Sequence, residues 1–203
     1  SIQKRVDVSA KRGFTCGVIA ANAKEGCATW IQLLAQAANQ CGSRVLAITV
    51  RPTANGNGNH APESAAKPGA HSQAIVPLGG NSNLLASPTQ ITQRLDGPNG
   101  QGVLHLMLPE WAWTGEGREQ WQSALQHWSQ IDNLVILVGL PPASLQNAVL
   151  LAQHIPNLVW LTGNGKARAA ETRQHVETLR EAGCNLVGAV LNQEKESPLK
   201  NLL

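Results

Sequence analysis

The residues that invite a chemical reading run from Gly17 to Leu34, GVIAANAKEGCATWIQLL. An apolar run, a short loop and the first turns of a helix follow one another, as they do around a phosphate-binding loop spelled G-x-x-x-x-G-K-[ST]. In that motif backbone N–H groups cradle the phosphates, the lysine reaches the terminal ones and the hydroxyl holds Mg²⁺. Here Gly26 stands at the second glycine, but Ala21 takes the first, Cys27 the lysine and Ala28 the hydroxyl. A helix N-terminus still offers free N–H groups and partial positive charge, so weak anion binding survives such losses. Losing the lysine removes a charge-assisted contact of about 1.5–3 kcal/mol, which weakens phosphate binding by roughly ten- to a hundredfold. Cys27 at a helix start has a second reading, as a nucleophile with a lowered thiol pKa. A small residue in place of a lysine no longer needed explains it as well.

A metal-dependent phosphotransferase also needs a carboxylate at a strand end. The only aspartates are Asp7, Asp96 and Asp132. Asp7 precedes the fold, Asp96 is read in a loop, and Asp132 enters a strand from its amino end. Glu110, after Pro109, is the nearest carboxylate that follows a strand, and a surface-loop role is the simpler reading. His60 and His71 are too isolated to make a metal site. Cys16, Cys27, Cys41 and Cys184 lack CxxC or metal-ligand spacing and read as free thiols of a reducing compartment. The chain contains no tyrosine.

The elements that position these residues alternate. Apolar runs at Phe14–Ala20, Val45–Val50, Gly102–Leu108, 134–139, Asn157–Thr162 and Asn185–Asn192 read as strands. Helices are expected after the first loop, within 84–95, and over 115–130, 144–155 and 167–182. The first carries a broad apolar stripe of Trp30, Ile31, Leu33, Leu34, Ala37 and Ala38. Trp121, Leu125 and Trp128 share one helix face and belong to the core, whereas Trp111 and Trp113 are candidates for exposed stacking. Glu171, Arg173, Glu177 and Arg180 make a solvated, ion-paired helix face, which is also a place for a neighbouring subunit to pack. Residues 51–73 lack bulky apolar side chains and cannot offset their ordering entropy, so a mobile excursion is expected. The expected fold is α/β, a mostly parallel sheet covered by helices on both faces. It comprises an arm over 1–13, one domain over 14–193 with an insertion at about 52–73, and a tail over 194–203. The net charge of +3 is scattered, which argues against a nucleic-acid partner. No apolar run reaches the length of a bilayer span and no signal peptide opens the sequence.

In this order the features resemble the cytoplasmic domain of bacterial tyrosine kinases of capsule and exopolysaccharide synthesis, within the deviant P-loop ATPases that include ParA and MinD. The resemblance rests on VIAANAKEGCATWIQLLAQAANQCGSRVLAITVRP, VLHLMLP, DNLVILVGLPP and NLVWLTGNGKARAAETRQHVETLREAGCNLVGAVLN, and spans roughly Phe14 to Asn192. It implies a P-loop NTPase-like, Rossmann-like three-layer sandwich. It places a vestigial nucleotide site on Glu25, Gly26, Cys27, Ala28, Thr29 and Asn192, the last near the adenine position. The family's strand-end aspartates fall at about Thr49 or Arg51 and at Gly139, and its oligomerisation motif is not found in SIQKRVDVSAKRG. Losing every charged catalytic part together points to a pseudoenzyme with no catalytic residue, no metal and no cofactor. The resemblance implies a cytoplasmic scaffold or regulator of polysaccharide biosynthesis and export, placed at the inner membrane through a partner or a membrane segment beyond this stretch. Its implied partners are a membrane polysaccharide-copolymerase or export component and further copies of itself. The alternatives are a degenerate ParA- or MinD-like positioning protein that binds nucleotide weakly, or an enzyme of unrelated chemistry using Cys27 or Glu110.

Overall fold

The computed structural model describes residues 13–22, 25–50, 76–77, 88–96, 102–108, 115–163 and 169–192. Lys24, Glu110, Trp111, Trp113, Asp7, the histidines at 60 and 71, the expected excursion over 51–73, the arm before Gly13 and the tail after Asn192 lie outside the described residues.

Twelve elements follow in chain order: β1 (Phe14–Ala20), α1 (Cys27–Gln40), β2 (Arg44–Val50), β3 (Val76–Pro77), α2 (Pro88–Asp96), β4 (Val103–Leu108), α3 (Gly115–Trp128), β5 (Leu134–Gly139), α4 (Gln146–Ala152), β6 (Leu158–Gly163), α5 (Ala169–Glu181) and β7 (Leu186–Asn192). The strands form one sheet in the order β3-β4-β2-β5-β1-β6-β7, and every pair is parallel. Parallel neighbours require crossover connections, which the intervening helices supply.

Alternation along each strand sorts the core into two layers. Ile19, Leu46, Ile48, Leu106, Ile136 and Val138 face one side, where α2, α3, α4 and α5 contribute Ile91, Trp121, Trp128, Leu151 and Leu179. Trp121 and Trp128 are buried there, edge to face at 6.3 Å and 76°. Cys16, Val18, Ala20, Val45, Ala47, Leu137 and Leu161 face the other side, where α1 is the helix among the described residues that covers them. Gly17, at the centre of β1, has a packing reason: a β-carbon there would come within 2.7 Å of Leu158 Cδ2 and 3.1 Å of two Ile155 carbons. Asn157 stitches the same place by donating to the Thr15 carbonyl at 2.9 Å.

Several expectations are corrected. The stripe on α1 is narrower than its apolar residues suggest, since Ile31 and Ala35 are buried while Leu33 is exposed. Among the described residues β7 is the last strand of the sheet, and most of its residues are exposed. Asp96 closes α2 rather than lying in a loop, and it accepts an ion pair from Arg44 at 2.9 Å. Arg44 also donates to the Asp132 carbonyl, tying the amino ends of β2 and β5 together.

Candidate functional site

In parallel α/β sheets ligands bind beyond the carboxyl ends of the strands. Register sets Val18, Gly139 and Thr49 abreast at that edge on β1, β5 and β2. The loop after β1 turns into α1 through Gly26, whose φ of +89° belongs to the left-handed region that glycine enters without steric cost. Asn192, from the end of β7, donates through Nδ2 to the Glu25 carbonyl at 3.0 Å. A β-carbon on Gly26 would lie 2.8 Å from that same nitrogen. The structure thus brings Asn192 to the loop, where it holds the backbone at Glu25.

Glu25 is 2% exposed. Its Oε1 accepts from Asn22 Nδ2 at 3.1 Å, and its Oε2 has no partner among the described residues. The resemblance places Glu25 in the vestigial nucleotide site, but nothing in its spacing signals that its carboxylate is buried. Ala28 and Thr29 are exposed on the first turn of α1. Gly26 caps this helix without a side-chain hydrogen bond. The first-turn N–H groups therefore keep the capacity for an anion that any helix start has.

Cys27 fills the lysine position in an inward pose. Its thiol donates to the Val18 carbonyl at 3.3 Å and lies 3.9 Å from the Leu140 carbonyl oxygen. The Val18 carbonyl also accepts the Leu140 N–H at 2.9 Å, so one acceptor ties together the ends of β1, α1 and β5. Burial pushes the Cys27 thiol up to about 12, against a smaller lowering by the Leu140 backbone. This weighs against the second reading of Cys27, as a nucleophile activated by the helix start, because desolvation disfavours the thiolate. Cys16 and Cys184 are likewise buried, and Cys41 is exposed; all four thiols are free.

Gly139 occupies the position where the resemblance expects an aspartate. A β-carbon there would meet Ile31 Cγ1 at 3.1 Å, with Cys27 Sγ and the Ile48 carbonyl oxygen each at 3.6 Å. A side chain at this position would press on Ile31 and come into van der Waals contact with the Cys27 thiol. A magnesium nucleotide of the kind a phosphate-binding loop normally holds does not fit this donor set: no ammonium follows Gly26, no hydroxyl follows Cys27, and no carboxylate stands at the end of β5.

No protein-family model and no curated protein sequence matches the chain. Solved structures do match, and they define the fold as P-loop NTPase-like. The chain is similar to the kinase domain of the Escherichia coli tyrosine kinase ETK, with a TM-score of 0.57 and 18% identity over 91% of this chain and 69% of that one. It is similar to the VpsO kinase domain, with a TM-score of 0.55 and 16% identity over 89% and 84% of the two chains. It is also similar to the septum site-determining protein MinD from Pyrococcus horikoshii, solved with Mg-ADP, with a TM-score of 0.56 and 13% identity over 92% and 72%. At these identities the likeness is one of fold.

Proposed function

We propose that this chain is a catalytically inactive P-loop-like domain that serves as a scaffold or regulator in bacterial polysaccharide biosynthesis and export. The observation that carries the proposal is the inward Cys27 thiol, bonded to the Val18 carbonyl where a lysine would extend toward phosphate. Gly139 supports it, because the family's strand-end carboxylate is missing there and an added β-carbon would already lie 3.1 Å from Ile31 Cγ1. The polysaccharide context is supported by the segments that resemble the capsule and exopolysaccharide kinases, and by the fold shared with two kinase domains. Among the described residues no helix is long and apolar enough to cross a membrane.

Affinity capture of the full chain from its native cell, with quantitative mass spectrometry, tests the proposal. Enrichment of a polysaccharide-copolymerase or export protein is the expected result. Enrichment of chromosome-partition or division-site proteins instead would replace it with the second reading, a positioning protein of the MinD type. That reading draws on the first turn of α1, whose N–H groups stand free of a side-chain cap.

A further inference from the structure

Glu25 is the one buried charged residue among those described, 2% exposed. Asn22 Nδ2 donates to its Oε1 at 3.1 Å, and Asn192 Nδ2 donates to its backbone carbonyl at 3.0 Å. Its Oε2 is buried and accepts no hydrogen bond from the described residues. The start of α1, close by in the chain, favours a carboxylate beside it, yet none of its first-turn N–H groups donates to Oε2. A buried carboxylate oxygen without a donor is costly, so a ligand that brings the donor gains an interaction the fold itself leaves unmade.

Polarity, charge and valence select that ligand. Both asparagines turn their nitrogen to an accepting oxygen of Glu25, which fixes the orientation of each carboxamide and leaves each Oδ1 as an acceptor. Together with Glu25 Oε2 the loop thus offers three acceptor oxygens. β1, α1, β5 and β7, which frame the loop, contain no Lys, Arg, Asp or Glu, so none of these elements neutralises Glu25. A guanidinium binds a carboxylate best through both oxygens, and here Oε1 is already taken by Asn22. An ammonium is a compact charge with three donors and no acceptor, which matches one carboxylate oxygen and two carboxamide oxygens.

We propose that the loop before α1 binds a primary ammonium group, with Glu25 Oε2 as its anionic acceptor and the carboxamide oxygens of Asn22 and Asn192 as its neutral ones. The inference rests on the acceptors of the loop and does not depend on the polysaccharide reading. Titration of the ¹⁵N-labelled full chain with methylammonium, followed by NMR at constant ionic strength, tests it. Tetramethylammonium, which carries the charge and no donor, is the control. Saturable shifts are expected with methylammonium alone, at the side-chain amides of Asn22 and Asn192 and the backbone amides of Gly26 and Cys27. Glu25→Gln, which keeps the shape and removes the charge, is expected to weaken binding by about tenfold or more. Asn22→Ala, at an exposed position, is expected to weaken it with the circular dichroism spectrum unchanged. A parallel titration with lysine blocked at its α-amino and carboxyl groups separates the sources. Tighter binding than methylammonium assigns a lysine side chain of a partner, and weaker binding assigns a free small amine. Equal shifts with tetramethylammonium, no shifts with either ion, or affinity indifferent to both substitutions would each overturn the proposal. So would binding that appears only after Lys24→Met, since the chain's own lysine would then fill the site.

Discussion

Alkylation of Cys27 measures whether its surroundings have disarmed it. A thiol titrating at its ordinary 9.0 is about one per cent ionised at neutral pH, whereas one raised to about 12 is ionised roughly a thousandfold less. The thiol also sits beneath the loop, donating to Val18 and close to the Leu140 carbonyl. In iodoacetamide labelling followed by peptide mass spectrometry, the exposed Cys41 should react first. Cys27 should lag by about three orders of magnitude at pH 7, and urea should abolish the difference. The same shift has a consequence for stability, with a definite sign. The folded thiol holds its proton to a higher pH than the unfolded one, so its contribution is complete below pH 9 and is lost as pH rises toward 12. Within that window the slope is about 1.4 kcal/mol of stability lost per pH unit. A Cys27→Ser chain should lose this alkaline component in urea titrations at pH 8 and pH 10. Labelling of Cys27 ahead of Cys41 in the native protein would refute the reasoning and return the residue to the list of nucleophiles.

Further predictions concern packing around the same strands. Gly17→Ala should cost about 1–3 kcal/mol in urea denaturation, because the added carbon meets Leu158 at 2.7 Å; an unchanged midpoint would count against the β1–β6 packing. Trp121→Ala should cost about 3–5 kcal/mol, read in the same titration, since the ring is fully buried against Trp128. Gly26→Ala should cost about 1–2 kcal/mol from its left-handed backbone, and hydrogen exchange should report loosening at Glu25, whose carbonyl Asn192 holds.

Much of the fold is legible in the chain because its strands are continuous apolar runs punctuated by glycines: LVILVG becomes the strand beside β1, and VLAITV the next one beyond it. What misleads is the same signal at the margin. NLVGAVLN is as apolar as the central strands, but exposure is decided by which strand ends the sheet, and that is a matter of topology. Leu33 is likewise indistinguishable from Ile31 by type, and only the position of α1 over the sheet exposes one and buries the other. At the site, the missing lysine, hydroxyl and aspartate are visible by position. What replaces them is not, because the thiol's acceptors lie 9 and 113 residues away and Asn192 reaches Glu25 across 167. Local spacing places Cys27 at a helix N-terminus, and tertiary burial then reverses the pKa shift that this placement suggests.

The central claim, that the loop between β1 and α1 has lost its nucleotide chemistry, is tested most directly by isothermal titration of the full chain with ATP, with and without Mg²⁺. The account predicts no saturable binding in the micromolar range and no effect of Mg²⁺, since no described carboxylate or hydroxyl stands where the ion would be held. Micromolar affinity that strengthens with Mg²⁺, or any turnover of the nucleotide, would contradict it.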